Sequence, residues 1–69
     1  MKNYTLEQFT SHNTSFNRTI NVRTKNEAIK KARNASSIID FPVVLKDNKG
    51  AWIKYENCEM TEWSFQTLT

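Results

Sequence analysis

One helical pattern stands in this chain, and everything around it alternates. Thr24-Lys25-Asn26-Glu27 is a capping box, in which the Thr24 hydroxyl can satisfy a free helix N–H while Glu27 reaches back to the cap. Ala28, Ile29, Ala32 and Ala35 then fall within one stripe at about 100° per residue. The pattern predicts a helix over Lys25–Ser37, with an alanine face narrow enough to approach a sheet closely. Phe41-Pro42 forbids its continuation, because proline disfavours helical geometry in the residue before it.

The flanking segments read as strands. Tyr4–Phe9 and Arg18–Arg23 alternate apolar and polar residues and form a hairpin across a polar loop, Thr10–Asn17. Val43–Lys46 is a short buried strand, Asp47–Gly50 a turn that uses the only glycine, and Ala51–Glu56 a returning strand. After a polar connection at Asn57–Thr61, Glu62–Leu68 supplies the last strand. The expected fold is α+β, in the order β-β-α-β-β-β: one antiparallel sheet with a single helix packed on one face. Sixty-nine residues without an internal repeat or linker make one domain, residues 1–69. The apolar fraction of 38% is low, but two Trp, two Tyr and four Phe offer large burial per residue.

Catalytic chemistry finds no support in the residue pattern. The only histidine, His12, lies in the polar loop, where a solvated role is the ordinary one. The single cysteine, Cys58, excludes an internal disulfide and reads as a bystander between Glu56 and Glu59. A lone glycine excludes a glycine-rich phosphate loop, and no spacing of Cys, His or carboxylates suits zinc. We therefore expect no enzyme activity, no metal and no cofactor. No apolar run suits a signal peptide or a membrane span, so a cytoplasmic protein without membrane contact is expected. Four Asn-x-Ser/Thr triplets, at Asn3, Asn13, Asn17 and Asn34, are then accidents of composition.

Charge is unevenly spread. Residues 1–39 hold seven basic side chains against two acidic ones, whereas residues 40–69 hold three against five. Such polarity steers a charged partner. Helical projection sets Lys30 opposite the alanine stripe with Lys31 and Arg33 on its flanks, and with Lys25 these form a basic patch suited to phosphates or an acidic protein surface. The same residues equally suit a plain solvated face. On the sheet, the period of two turns Trp52 and Lys54 outward if Ile53 and Tyr55 face the core, and sets Arg23 and Asn21 opposite Ile20 and Val22. A Trp among Lys and Arg suits base stacking or a protein hot spot, or else packs against Trp63 or Phe65.

The succession over Thr19–Tyr55 of strand, Thr-capped basic helix, Val-Val-Leu strand, Asn-Lys-Gly turn and Trp-Ile-Lys-Tyr, followed by Glu62-Trp63, resembles the small type I-F anti-CRISPR proteins encoded by phages. That resemblance implies an inhibitor that binds a backbone subunit of the CRISPR surveillance complex and blocks pairing of guide RNA with target DNA. It implies contacts from basic and polar residues on and near the helix; Lys30 matches, with Lys31 and Arg33 beside it. Net positive charge disfavours mimicry of DNA, which needs a densely acidic surface. The leading expectation is thus a phage-type inhibitory binding protein acting on a protein partner, as monomer or homodimer. The alternatives are a small nucleic-acid-binding module using Lys30, Arg33, Trp52 and Lys54, and an accessory protein that self-associates through its open sheet face.

Overall fold

The computed structural model describes residues 1–64, and the expected architecture is what it holds. Strands β1 (Lys2–Phe9) and β2 (Ser15–Val22) precede helix α1 (Lys25–Ser37), and β3 (Val43–Lys46), β4 (Trp52–Glu56) and β5 (Glu59–Trp63) follow it. They form one five-stranded sheet in the order β2-β1-β3-β4-β5, every neighbouring pair antiparallel. β2 and β3 therefore run parallel on either side of β1, and α1 is the crossover that joins them. That connection lays the helix across the middle of the sheet.

Alternation decides which residues the helix covers. Tyr4 and Leu6 of β1, Val22 of β2, Val43 and Leu45 of β3, and Ile53 and Tyr55 of β4 are buried with Ala28, Ala32 and Ala35 of the helix. Leu6, Leu45 and Ile53 sit side by side across three strands and are fully buried. The helix entry is built as expected in part: Glu27 N–H donates to Thr24 Oγ1 at 3.2 Å. Glu27's carboxylate, however, accepts from the backbone N–H of Arg23 at 3.3 Å, one residue before the cap. In the β3–β4 turn, Asp47 Oδ1 accepts from the N–H groups of Lys49 and Ala51 at 2.8 and 2.9 Å, and Gly50 takes φ +94°. Only glycine adopts that angle without strain.

Several strand boundaries depart from the sequence reading, among them the end of β2 at Val22 rather than Arg23 and that of β5 at Trp63, before Ser64. β1 begins at Lys2 rather than Tyr4, and β4 begins at Trp52 rather than Ala51. Ser15–Asn17 are strand rather than loop, paired with Phe9, Gln8 and Glu7, so the connection shrinks to residues 10–14. Ser15 Oγ donates to Glu7 Oε2 at 2.7 Å, a cross-strand bond that the polar composition of this segment conceals. The last strand starts at Glu59, not Glu62, because Asn57 and Cys58 close a two-residue hairpin at φ 53° and 69°. Positive φ at both central positions is the hairpin turn whose twist matches its strands, and cysteine gives no sequence signal for it. Phe65–Leu68, assigned above to that strand, lie outside the described residues.

Candidate binding surfaces

The two faces of the sheet differ in how their charges are used. On the face away from the helix, Lys46 lies 2.7 Å from Glu7 and Lys54 lies 3.8 Å from Glu62. Those two contacts are the only ion pairs among the described residues. Glu7's carboxyl is held below its usual range by the hydrogen bond from Lys46, helped by that from Ser15. Both lysines of this face are therefore paired, around a shallow depression of about 230 Å³ that they line with Phe9, Val44 and Trp52, while Glu56 and Glu59 stand exposed opposite each other at its end.

Trp52 and Lys54 turn away from the helix as the alternation requires, but neither is a free probe. Trp52 is half-buried opposite Lys46, and Lys54 is held by Glu62. Trp63 cannot cover Trp52, because it pairs with Ile53 and so points to the opposite face. There, beyond the edge of the helix, Trp63 and Met60 stand about half-exposed.

The helix side presents the opposite electrostatics. Lys25, Lys30, Lys31 and Arg33 are exposed and make no ion pair among the described residues. They do not form one patch. Lys30 and Arg33, three residues apart, border a depression with Asn26, Ile29 and Cys58 toward the β4–β5 turn. Lys31 leans the other way, into a groove between α1 and β2 that it shares with Arg18, Gln8 and Asn34. Lys25 opens the helix about 140° around the axis from Lys30, and Arg23 precedes the cap. Arg18 is the residue the sequence reading passed over: it pairs with buried Leu6, so alternation points it to the helix side.

The seven sequence-selected residues thus divide, with the sheet between them. Lys30 and Arg33 form one basic flank, Lys31 joins Arg18 on the other, and Trp52 and Lys54 occupy the far face. Lys25 and Arg23 stand at the helix entry, Arg23 beyond the end of β2 and not on the sheet face expected for it. His12 is an exposed loop residue whose ring meets Phe41 edge-on at 5.7 Å. Tyr55's phenol is pushed up by burial, against the pull of the nearby Arg33 charge. Cys58 is more than a bystander, since its N–H donates to Ser36 Oγ and its Sγ lies 3.5 Å from the Arg33 carbonyl.

Among the described residues no group of three His, Cys, Asp or Glu could hold a metal, and no helix is long and apolar enough to cross a membrane. No family model, curated protein or solved structure matches the chain.

Proposed function

We propose that this protein is a non-enzymatic inhibitor of the phage type, which docks the outer side of α1 against an acidic surface of a protein partner. The observation that carries this reading is the partition of charge: Lys46 and Lys54 are neutralised on the far face, whereas Lys30, Lys31 and Arg33 stand exposed and unpaired among the described residues. Unpaired cations on a rigid helix steer an acidic partner and pair with its carboxylates on contact. The helix cannot tilt to suit, because Ala28, Ala32 and Ala35 bind it to the sheet through fully or nearly fully buried contacts.

With the resemblance of Thr19–Tyr55 to type I-F anti-CRISPR proteins, the partner becomes a backbone subunit of the CRISPR surveillance complex, and the effect becomes occlusion of the path of target DNA. Titration of the protein into a purified type I-F surveillance complex, with labelled target duplex as readout, tests this. Loss of target binding near one-to-one occupancy of the inhibitor sites is expected; unchanged binding at a large excess would reject it.

A second reading is favoured by Asn26 and Asn34, which border the basic flanks and suit phosphate oxygens. In it the protein binds nucleic acid directly through the helix side. Lys30 and Trp52 cannot both lie on that surface, since the sheet separates them. Binding to duplex DNA without any protein partner, falling steeply with salt as counterions are released, would favour this second reading.

A further inference from the structure

The two outer edges of the sheet are not equivalent. β5 is five residues long, carries Glu59 and Glu62, and meets β4 through a register shift at Lys54/Tyr55 that leaves Thr61 as an extra residue. Shortness, charge and irregularity are the devices by which edge strands resist further pairing. β2 lacks nearly all of them. Its eight residues pair with β1 in unbroken register from Ser15↔Phe9 to Val22↔Lys2, without a proline or an acidic side chain, and with Arg18 as the one charge. Among the described residues no strand meets its outer edge.

The space beside that edge is built on one side only. Arg18 and Ile20 project to the helix side, where with Lys31, Asn34, Ala35 and Ile38 they line an open groove of about 600 Å³. No acidic residue lines it. Ile38 is 81% exposed there, and Phe16, opposite Gln8, is 50% exposed on the same side of β2. On the far side, β2 shows Asn17, Thr19 and Asn21, which are polar and uncharged.

We propose that the β2 edge and this groove form a strand-addition site for an extended segment of a partner protein whose groove-facing residues run apolar, acidic, apolar. A strand pairing with β2 places every second side chain over the groove. One carboxylate then meets Arg18 and Lys31, and its apolar neighbours at two residues either side cover Ile20 and Ile38 at one end and Phe16 at the other. The residues between them face Asn17, Thr19 and Asn21, where threonine or serine suits. A second copy of this chain is the poorer occupant, because antiparallel self-pairing brings two Arg18 side chains onto one face, and like charges across strands repel. The site shares Lys31 with the inhibitor reading but uses neither Lys30 nor Arg33, so shifts on β2 and Arg18 separate it from that reading.

The test is a nuclear magnetic resonance titration of isotope-labelled protein with the capped peptide Thr-Val-Thr-Glu-Thr-Val-Thr, followed by hydrogen exchange. The expected result is shift changes confined to β2, Lys31 and Ile38, new protection at alternate β2 amides, and at least tenfold weaker binding to Arg18→Glu/Lys31→Glu. Replacing the peptide's Glu by Lys is expected to weaken binding as much, and this arm needs no variant of the protein to fold. Absence of binding at millimolar peptide would overturn the proposal. So would shifts centred on Lys30 and Arg33, equal affinity for the double variant, or β2 protection that grows with protein concentration alone.

Discussion

The hydroxyl of Ser36 accepts a hydrogen bond from the backbone N–H of Cys58 at 3.0 Å and itself donates to the Arg33 carbonyl at 2.7 Å. Ser36 is fully buried, and this pair ties the last turn of α1 to the tight turn between β4 and β5. It also holds Cys58 at φ 69°, an angle that few residues other than glycine adopt. The basic flank of Lys30 and Arg33 borders this tie, so its geometry depends on it.

Ser36→Ala is expected to lower stability by about 1–3 kcal/mol, because it leaves the part-buried Cys58 N–H without its acceptor. For a domain of this size that is a fall of roughly 4 °C or more in Tm, measurable by thermal unfolding. Ser37→Ala, which removes only an exposed bond to the Asn34 carbonyl, serves as the control and is expected to change little.

At Cys58 the backbone angle and the side chain pull in different directions. Cys58→Gly relieves the left-handed conformation and keeps the N–H bond to Ser36, so it is expected to be neutral or stabilising. Cys58→Val puts a β-branched side chain at the same angle and is expected to destabilise the hairpin by about 1–3 kcal/mol. Denaturant midpoints of the two variants decide the matter, and the reverse order would contradict a turn held at positive φ.

The Glu7–Lys46 pair makes stability depend on pH in a defined window. Glu7 titrates below its usual range in the folded protein, chiefly because of Lys46 and then Ser15. A depressed folded value adds stability above the unfolded pKa of about 4.3 and loses it as pH falls through the folded value. Both side chains retain solvent contact, so the amount is small, about 0.5–1 kcal/mol. Glu7→Gln is expected to cost that amount at pH 7 and to flatten the decline between about pH 5 and 3. Equal acid sensitivity in both proteins would exclude the pair as a contributor.

Packing between the helix and the sheet sets where the basic side chains stand. Ala32 is fully buried, and Ala32→Leu is expected to cost about 1–3 kcal/mol by forcing α1 off Leu45 and Ile53. Leu45→Ala removes a side chain from the centre of the core and is expected to cost about 2–5 kcal/mol. Chemical denaturation measures both.

Those elements whose chemistry is local were legible in the sequence. Thr24 and Glu27 mark the helix entry, Asp47 and Gly50 the β3–β4 turn, and the alternation through Ile53 and Tyr55 separates the faces of β4. What escaped the sequence depends on partners far along the chain. Ser15–Asn17 become strand by pairing with Glu7–Phe9, and the Asn57-Cys58 turn is supported by Ser36, 22 residues before Cys58. For the binding surfaces, the helical period set Lys30 outward but could not say that Lys46 and Lys54 would be neutralised across strands. Nor could it bring Arg18 beside Lys31, which requires β2 to be an edge of the sheet.

The helix side, and not the far sheet face, is where we place recognition of the partner. The most direct measurement compares two double variants in displacing target duplex from a type I-F surveillance complex: Lys30→Glu/Arg33→Glu and Trp52→Ala/Lys54→Ala. The expected result is at least about a tenfold loss of potency for the first, since reversing unpaired interface charges replaces attraction by repulsion, and near-native potency for the second. Full potency from the helix variant together with loss from the sheet variant, both folded, would contradict the assignment.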